Sequence, residues 1–153
     1  GVQTCALPIT LVNQIVGEQI PFFNEKNIKV EIESTAEEFY CEIDIQKMVR
    51  VIENIVKNAE KYSFSNTIFK VSMMEIDNNI KISFENKGER ISKEELEKIF
   101  EKMYRLDKSR TGETEGSGLG LAISKKIIEM HSGKLWAECK DNTIKFNILL
   151  QKA

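Results

Sequence analysis

One long segment restricts the possible folds of this chain more than any other. Residues Ile45 to Tyr62 carry apolar side chains at helical spacing, which predicts an amphipathic helix with one buried face. Its apolar positions are Met48, Val49, Ile52, Ile55, Val56 and Ala59. On the opposite face Asn54 and Asn58 lie four residues apart, and Lys61 and Tyr62 continue that face one turn later. Such a helix needs another layer to cover its apolar face, so we expect a layered domain.

Alternating apolar and polar residues predict the strands of the other layer. These strands are Ile28–Ile32, a short one at Glu42–Asp44, Ile68–Ile76, Ile80–Phe84, Lys134–Cys139 and Thr143–Leu150. Asp77, Asn78 and Asn79 are turn residues that join two of these strands in a hairpin, and the last two strands form a second hairpin.

Further helices are predicted around these strands. They run from Leu11 to Phe23, from Ser92 to about Met103 and from Gly118 to about His131. Ser92 and Glu95 have the spacing of a capping box. The order of elements predicts an α+β two-layer sandwich, in which a mixed, mainly antiparallel sheet of about five strands carries three main helices on one face.

Composition excludes several classes of protein. The 153 residues suit one domain, and a net charge of −2 gives no footprint for nucleic acid. The sequence has no apolar run long enough to span a membrane and no evident signal peptide. Cys5, Cys41 and Cys139 are scattered and form no CxxC, which favours a reducing, cytoplasmic compartment over a disulfide or zinc site. We expect residues 1–8 to be a cloning remnant or a truncated edge, and residues 9–153 to form the domain.

A glycine-rich segment, EGSGLGLA at residues 115–122, leads into the predicted helix at Gly118. Glycines before a helix let the backbone approach an anion, and the helix start exposes unpaired N–H groups, so Gly116, Gly118 and Gly120 suit a phosphate. A simple turn is the alternative. The spacing does not match the dinucleotide fingerprint or the P-loop, and the protein-kinase motifs are missing. The preceding KSRTGETEGS, residues 108–117, predicts a mobile loop.

The paired asparagines of the long helix suggest a partner for that phosphate. The carboxamide oxygens of Asn54 and Asn58 could coordinate a magnesium ion that bridges phosphates, next to the ammonium of Lys61 and the phenol of Tyr62. The alternative is a solvated polar helix face. Such a face normally carries Glu and Lys, whereas asparagine is a poor helix former.

Four ordered segments resemble one known family. NIVKNAEKYS, NKGERI, KIFEKMYRLD and GSGLGLAISKKIIEMHSGKLWAE are similar to the asparagine box, first glycine box, phenylalanine box and second glycine box of sensor histidine kinases. The resemblance covers about Leu11 to Leu150 and the ATP-binding catalytic domain. Within the family, the middle of the chain most resembles the vancomycin-resistance type of sensor.

The resemblance implies a Bergerat fold in which Mg-ATP lies between the asparagine helix and a flexible lid. It assigns magnesium to Asn58 with Asn54 assisting, and it implies that Asn54, Lys61 and Arg105 support phosphoryl transfer. The residues implied to bind nucleotide are Asn58, Tyr62, Asn86, Gly88, Ile91, Phe100, Tyr104, Lys108, Arg110, Gly116, Gly118, Leu119 and Gly120. Among them Phe100 and Tyr104 anchor the lid, and Lys108 and Arg110 neutralise phosphate charge together with Arg105.

The first glycine box departs from the family pattern Asp-x-Gly-x-Gly. Asn86 stands where the family has the aspartate that receives the adenine amine, and Arg90 stands where it has the second glycine. An asparagine carbonyl still accepts a hydrogen bond, but without the charge of a carboxylate. We therefore expect weaker ATP binding.

The resemblance also implies what the chain acts on. The single histidine, His131, lies near a helix end and is interpreted as a structural cap residue, so the phosphoacceptor histidine would lie on a separate helical dimerisation domain. Related ATPases place a glutamate base at the position of Asn54, whereas Glu53 points about 100° away around the helix, which favours a kinase over an ATPase.

We expect a monomeric catalytic domain that serves a response regulator indirectly, within the cytoplasmic part of a membrane-anchored sensor. A regulatory nucleotide-binding module with little kinase output is the alternative from another class. An anti-sigma-type serine kinase of the same fold is a weaker alternative.

Overall fold

The computed structural model describes residues 3–101 and 120–153, and it places them in two layers. The strands are β1 (Gln3–Pro8), β2 (Lys29–Ser34), β3 (Glu38–Ile43), β4 (Ile68–Ile76), β5 (Asn79–Lys87), β6 (Lys134–Lys140) and β7 (Thr143–Gln151). The helices are α1 (Ile9–Gly17), α2 (Ile20–Glu25), α3 (Ile45–Tyr62), α4 (Lys93–Lys98) and α5 (Gly120–Met130).

The main sheet has five strands in the order β2-β4-β5-β7-β6. β2 pairs with β4 in parallel, whereas β4–β5, β5–β7 and β6–β7 are antiparallel. The predicted mixed, mainly antiparallel sheet of five strands is therefore confirmed. Alternate residues of the central strands, such as Phe84 on β5 and Phe146 on β7, are buried beneath the helices.

The long helix α3 begins and ends at the predicted residues. Its N-cap is Asp44, whose carboxylate accepts a hydrogen bond from the backbone N–H of Lys47 at 3.2 Å. Its buried residues are Met48, Val51, Ile52, Ile55, Val56 and Ala59. Val51 thus joins the predicted stripe, and Val49 lies at its half-buried edge.

The N-terminal part of the chain differs from the prediction. The segment predicted as one helix from Leu11 to Phe23 is two helices, because the chain turns after Gly17 and Pro21 occupies the first turn of a new helix. Proline fits there because the first helical N–H groups have no intrahelical partner.

A second, two-stranded sheet was not predicted. Residues Gln3–Pro8 form β1, which pairs antiparallel with β3, and Leu7 is fully buried. The predicted short strand Glu42–Asp44 is wrong in its extent, since β3 runs from Glu38 to Ile43 and Asp44 begins the cap of α3.

The helix before residues 102–119 is shorter than predicted. α4 ends at Lys98, and the Ser92–Glu95 capping box is present as predicted. α5 is described from Gly120 to Met130, and its predicted start at Gly118 lies outside the described residues. In the part of the chain that the structure describes, none of the helices combines the length and the apolar character needed to cross a membrane.

Candidate functional site

The outward face of α3 carries the predicted polar residues. Asn54, Asn58 and Tyr62 are half-buried, and Lys61 is exposed with its Nζ 5.3 Å from the centroid of the Tyr62 ring. The Asn58 carboxamide has no hydrogen bond to any residue that the structure describes. No described residue therefore competes with a ligand for its oxygen.

The start of α5 lies against this face. Nδ2 of Asn54 donates to the carbonyl oxygen of Gly120 at 3.3 Å and to Oγ of Ser124 at 3.2 Å. A Cβ placed on Gly120 would lie 3.7 Å from Cγ of Asn54. The last glycine of the glycine-rich segment is therefore next to the asparagine face, although the two residues are 66 positions apart in sequence.

The end of β5 meets the end of α3 at a buried asparagine. Asn86 is 3% exposed, and its Nδ2 donates to Oγ of Ser63 at 3.0 Å. Ser63 is the C-cap residue of α3, and its hydroxyl donates to the carbonyl oxygen of Ala59 at 2.5 Å. Asn86 thus connects the first glycine box to the end of the asparagine helix.

Gly88 lies against the backbone at the end of α3. It bridges to Ser63, and a Cβ at Gly88 would lie only 2.6 Å from the carbonyl oxygen of Tyr62. Asn142 holds Gly88 from the other side, because the backbone N–H of Gly88 donates to the Asn142 carbonyl oxygen and Nδ2 of Asn142 donates to the Gly88 carbonyl oxygen, each at 2.9 Å. Any residue larger than glycine would push β5 away from α3.

Ile91 and Phe100 pack inward. Ile91 is buried, and its N–H points to Sγ of Cys139 at 3.4 Å. Phe100 packs edge-to-face on Phe146 with the ring centroids 6.0 Å apart, and Nζ of Lys125 lies 5.1 Å from the Phe100 centroid. Phe100 therefore fixes the chain to β7 and α5 immediately before residue 102.

Seven predicted site residues and the predicted lid lie outside the described residues. These are Tyr104, Arg105, Lys108, Arg110, Gly116, Gly118 and Leu119. Their roles remain predictions. The described residues Asn54, Asn58, Tyr62, Asn86, Gly88 and Gly120 converge around the outward face and C-terminal end of α3.

A family model described as histidine kinase-, DNA gyrase B-, and HSP90-like ATPase matches residues 43–152. The chain belongs to this family. The match runs from the end of β3 to the end of the main sheet, so it includes every element of the site just described. Family membership confirms the sequence-based recognition.

Similar proteins of this ATPase family are sensor kinases. Sensor protein VanSC of Enterococcus gallinarum is 35% identical over 142 residues, which cover 93% of this chain and 39% of that protein. Sensor protein VanS of Enterococcus faecium is 45% identical over 107 residues, or 70% of this chain and 28% of that protein. Sensor histidine kinase WalK of Bacillus subtilis is 40% identical over 116 residues, which cover 72% of this chain and 19% of that protein. The chain thus spans less than half the length of these relatives.

Solved structures of the ATPase family share the whole fold. The nucleotide-free catalytic domain of histidine kinase ThkA matches with a TM-score of 0.84 and 28% identity over 98% of this chain and 96% of that domain. ThkA in complex with the response regulator TrrA matches with a TM-score of 0.81 and 25% identity, over 99% of this chain and 42% of the ThkA chain. The predicted fold of a histidine kinase catalytic domain is confirmed.

His131 lies beyond the opposite end of α5 from the candidate site. The ring is 8% exposed, Nδ1 lies 2.7 Å from the carbonyl oxygen of Ile127, and Nε2 accepts from the N–H of Asp44 at 2.9 Å. Because Nε2 is the acceptor, the proton is on Nδ1 and is donated to Ile127. The ring therefore links the end of α5 to the start of α3, as expected of a structural residue.

Sequence reasoning missed Ser63, Ser124 and Asn142, which position the predicted residues in this member of the ATPase family. Each acts through a contact between distant parts of the chain. The serine that follows Tyr62 offered one signal, since serine is common at helix ends. Among described residues, no three His, Cys, Asp or Glu side chains cluster as metal ligands.

Proposed function

We propose that this chain is the ATP-binding catalytic domain of a two-component sensor histidine kinase, which transfers the γ-phosphoryl group of Mg-ATP to a histidine on a separate helical dimerisation domain. The observation that carries the proposal is the contact between Asn54 on α3 and Gly120 at the start of α5. It sets the asparagine face of α3 beside the amino end of a helix, where unpaired N–H groups attract phosphate.

The nucleotide would lie between the end of β5 and the start of α5. Asn86 and Gly88 would face the adenine, Tyr62 and Lys61 the sugar or phosphates, and Gly120 the phosphates. The undescribed residues Arg105, Lys108, Arg110, Gly116 and Gly118 would add cations and backbone N–H groups, as their motifs suggest.

The described residues fit a magnesium ion held partly by the nucleotide. The carboxamide oxygen of Asn58 is not used by any described residue, and magnesium favours such oxygen ligands together with phosphates and water. Asn54 donates through its nitrogen, so its oxygen also stays available. When bound, the ion would neutralise phosphate charge.

The chemistry of Asn54 supports transfer to a protein rather than to water. Its amide cannot accept a proton at the position where related ATPases carry a glutamate base, and its nitrogen is held by Gly120 and Ser124. Water near this residue therefore gains no general base. The γ-phosphoryl group is better kept for a protein acceptor.

The state of His131 supports an acceptor on another domain. Both ring nitrogens are hydrogen-bonded and the ring is buried, so it cannot reach a phosphoryl group without disrupting the contact between α3 and α5. We propose that the domain is monomeric in isolation, belongs to the cytoplasmic part of a membrane-anchored sensor, and reaches a response regulator through the phosphorylated domain. The ThkA–TrrA complex is a precedent in a similar protein.

The proposal is tested by titrating a non-hydrolysable ATP analogue with and without magnesium. We expect magnesium-dependent binding with a Kd in the micromolar range or weaker, about −5 to −8 kcal/mol. Asn58→Ala should remove the magnesium dependence, because it removes the carboxamide oxygen. Asn13→Ala, which removes an exposed carboxamide on α1, is the matched control. Unchanged Mg-ATP affinity in Asn58→Ala would reject the site.

A regulatory nucleotide-binding module is the second candidate. It is favoured by the first glycine box, where Asn86 and Arg90 replace the family's aspartate and second glycine. Mg-ATP binding without phosphorylation of the parent dimerisation domain would support this candidate over the kinase.

A further inference from the structure

The hydrogen bonds of Ser63 determine how the Asn86 amide is oriented. A serine hydroxyl has one proton, and that of Ser63 is directed to the carbonyl oxygen of Ala59 at 2.5 Å. The Ser63 oxygen is therefore limited to accepting, and it accepts from Nδ2 of Asn86 at 3.0 Å. Ser63 and Asn86 are both buried, so water does not readily replace either bond.

These two hydrogen bonds determine which end of the Asn86 amide can face a ligand. An amide group can present either its oxygen or its NH2 to a ligand, since a half-turn of the terminal torsion exchanges them at little intrinsic cost. In this chain the NH2 faces Ser63, and the oxygen faces away from it. A half-turn would set the Asn86 oxygen against an oxygen whose only proton is already committed to Ala59.

We infer that Ser63 is a positioning residue that helps select the purine. Through Asn86 it holds a hydrogen-bond acceptor towards the base. It thereby favours a base with an amine at position 6 over a base with an oxygen there. The inference rests on the proposed function, in which Asn86 faces the base. Adenine presents the amine and guanine the oxygen, so ATP is favoured over GTP.

The asparagine at position 86 is what gives Ser63 this role. A carboxylate needs no fixed orientation, because one oxygen accepts from the base while the other accepts from the Ser63 hydroxyl, whose charge-assisted bond offsets its lost bond to Ala59. An amide selects only while it is held. Without the Ser63 oxygen, the Asn86 amide is free to turn and donate to the oxygen of guanine. Adenine preference in this chain thus depends on a residue that does not itself touch the base.

The test is calorimetric titration of non-hydrolysable ATP and GTP analogues in magnesium buffer. Ser63→Ala should reduce the ratio of ATP to GTP affinity at least several-fold, through weaker ATP and stronger GTP binding. Ser65→Ala removes an exposed hydroxyl from the adjacent turn and should leave the ratio unchanged. If Ser63→Ala does not fold, as judged by thermal unfolding, the nearly isosteric Ser63→Cys replaces it, because a thiol is a weak acceptor.

Repeating Ser63→Ala in a chain that already carries Asn86→Asp separates loss of the Asn86 orientation from general damage to the site. In the Asn86→Asp background, Ser63→Ala should change the ratio by less than about twofold, because either carboxylate oxygen accepts from adenine. An equal decrease in the ratio of ATP to GTP affinity with Asn86 and with Asp at position 86 would overturn the inference. An unchanged ratio in the Ser63→Ala variant alone would also overturn it. Failure of the unsubstituted chain to bind either nucleotide would instead overturn the proposed function, and the inference with it.

Discussion

At the residue scale, amide side chains do much of the positioning at this site. Asn54 joins α3 to the start of α5, Asn142 holds Gly88, and Asn86 is tied to Ser63. Each amide uses its nitrogen as donor to a protein oxygen. The oxygens of Asn54 and Asn86 are thereby directed away from those acceptors, which suits the proposed binding of an adenine amine at Asn86 and a magnesium ion near Asn54.

Gly88→Ala is expected to destabilise the domain and to weaken nucleotide binding. The new Cβ would lie 2.6 Å from the carbonyl oxygen of Tyr62, which is backbone and cannot rotate away. The end of β5 must then shift from α3, at a cost of about 1–3 kcal/mol in the free energy of unfolding. Urea unfolding and ATP-analogue titration measure both effects.

Gly17→Ala is the matched control for that substitution. A Cβ at Gly17 would meet no atom within 4 Å, so this variant should be neutral or slightly stabilising. Equal unfolding free energies for the Gly17→Ala and Gly88→Ala variants would contradict the described approach of β5 to α3.

Asn86→Asp is expected to tighten ATP several-fold and to change GTP little. A charge-assisted hydrogen bond from the adenine amine exceeds a neutral one by roughly 1 kcal/mol, and guanine offers no amine at that position. Asn86→Ala should weaken ATP and flatten the preference for adenine. If Asn86→Asp moved ATP and GTP affinity together in the titration, the residue would not be reading the base.

At the element scale, α3 is held at both ends by side chains. At its start, Asp44 caps the helix with its side chain, and its backbone N–H donates to Nε2 of His131. At its end, Nζ of Lys26 donates to the carbonyl oxygens of Glu60 at 2.6 Å and Lys61 at 3.1 Å. An ammonium at the carboxyl end and a carboxylate at the amino end both complement the helix dipole.

The cap at Asp44 predicts a pH-dependent stability. The hydrogen bond from the Lys47 N–H lowers the pKa of the Asp44 carboxyl below its usual value of 3.8. A lowered pKa in the folded state means that this stabilisation is complete above about pH 4 and is lost as the pH falls through the folded pKa. Asp44→Asn keeps a capping oxygen without the charge.

The difference in melting temperature between the unsubstituted chain and the Asp44→Asn variant isolates the contribution of the Asp44 charge. Melting temperatures between pH 7 and pH 3 should show the unsubstituted chain losing its advantage over Asp44→Asn at the acid end, while other carboxyls titrate in both. A constant difference across that range would show that the charge of Asp44 does not stabilise α3.

Local patterns predicted α3 well, and long-range contacts explain what was missed. The helix boundaries follow from the Asp44 cap and from apolar periodicity, both of which lie within the segment itself. The β1–β3 pair depends on residues 30 to 40 positions apart, and its short strands carry no distinctive turn between them. The Asn86 orientation depends on Ser63, 23 positions away, and no periodicity reports such a contact.

At the scale of the whole molecule, α5 runs antiparallel to α3 and has a polar link to it near each of its own ends. Asn54 bonds to the start of α5, and His131 beyond its end bonds to the start of α3. Gly120, the last glycine of the glycine-rich segment, therefore lies in a helix that is fixed to the asparagine helix. Phe100 fixes the chain on the other side of residues 102–119.

The isolated chain is expected to take up no acid-labile phosphate from labelled ATP and to hydrolyse ATP slowly. Its one histidine is buried with both nitrogens engaged, and Asn54 is no base. Mixed with the dimerisation domain of its own parent kinase, it should phosphorylate that domain in trans. Acid-labile labelling of the isolated chain that disappears in His131→Gln would contradict this assignment.

The parallel pairing of β2 with β4 also affects how the chain reaches this structure. The two strands are neighbours in the sheet, yet β3 and all of α3 lie between them in sequence. Closing so long a loop costs entropy before any strand contact repays it, and folding rates fall as such non-local contacts accumulate. Refolding should therefore be limited by closure of the segment that contains α3. The asparagine face would be completed together with the sheet, so a partly refolded chain would not retain nucleotide.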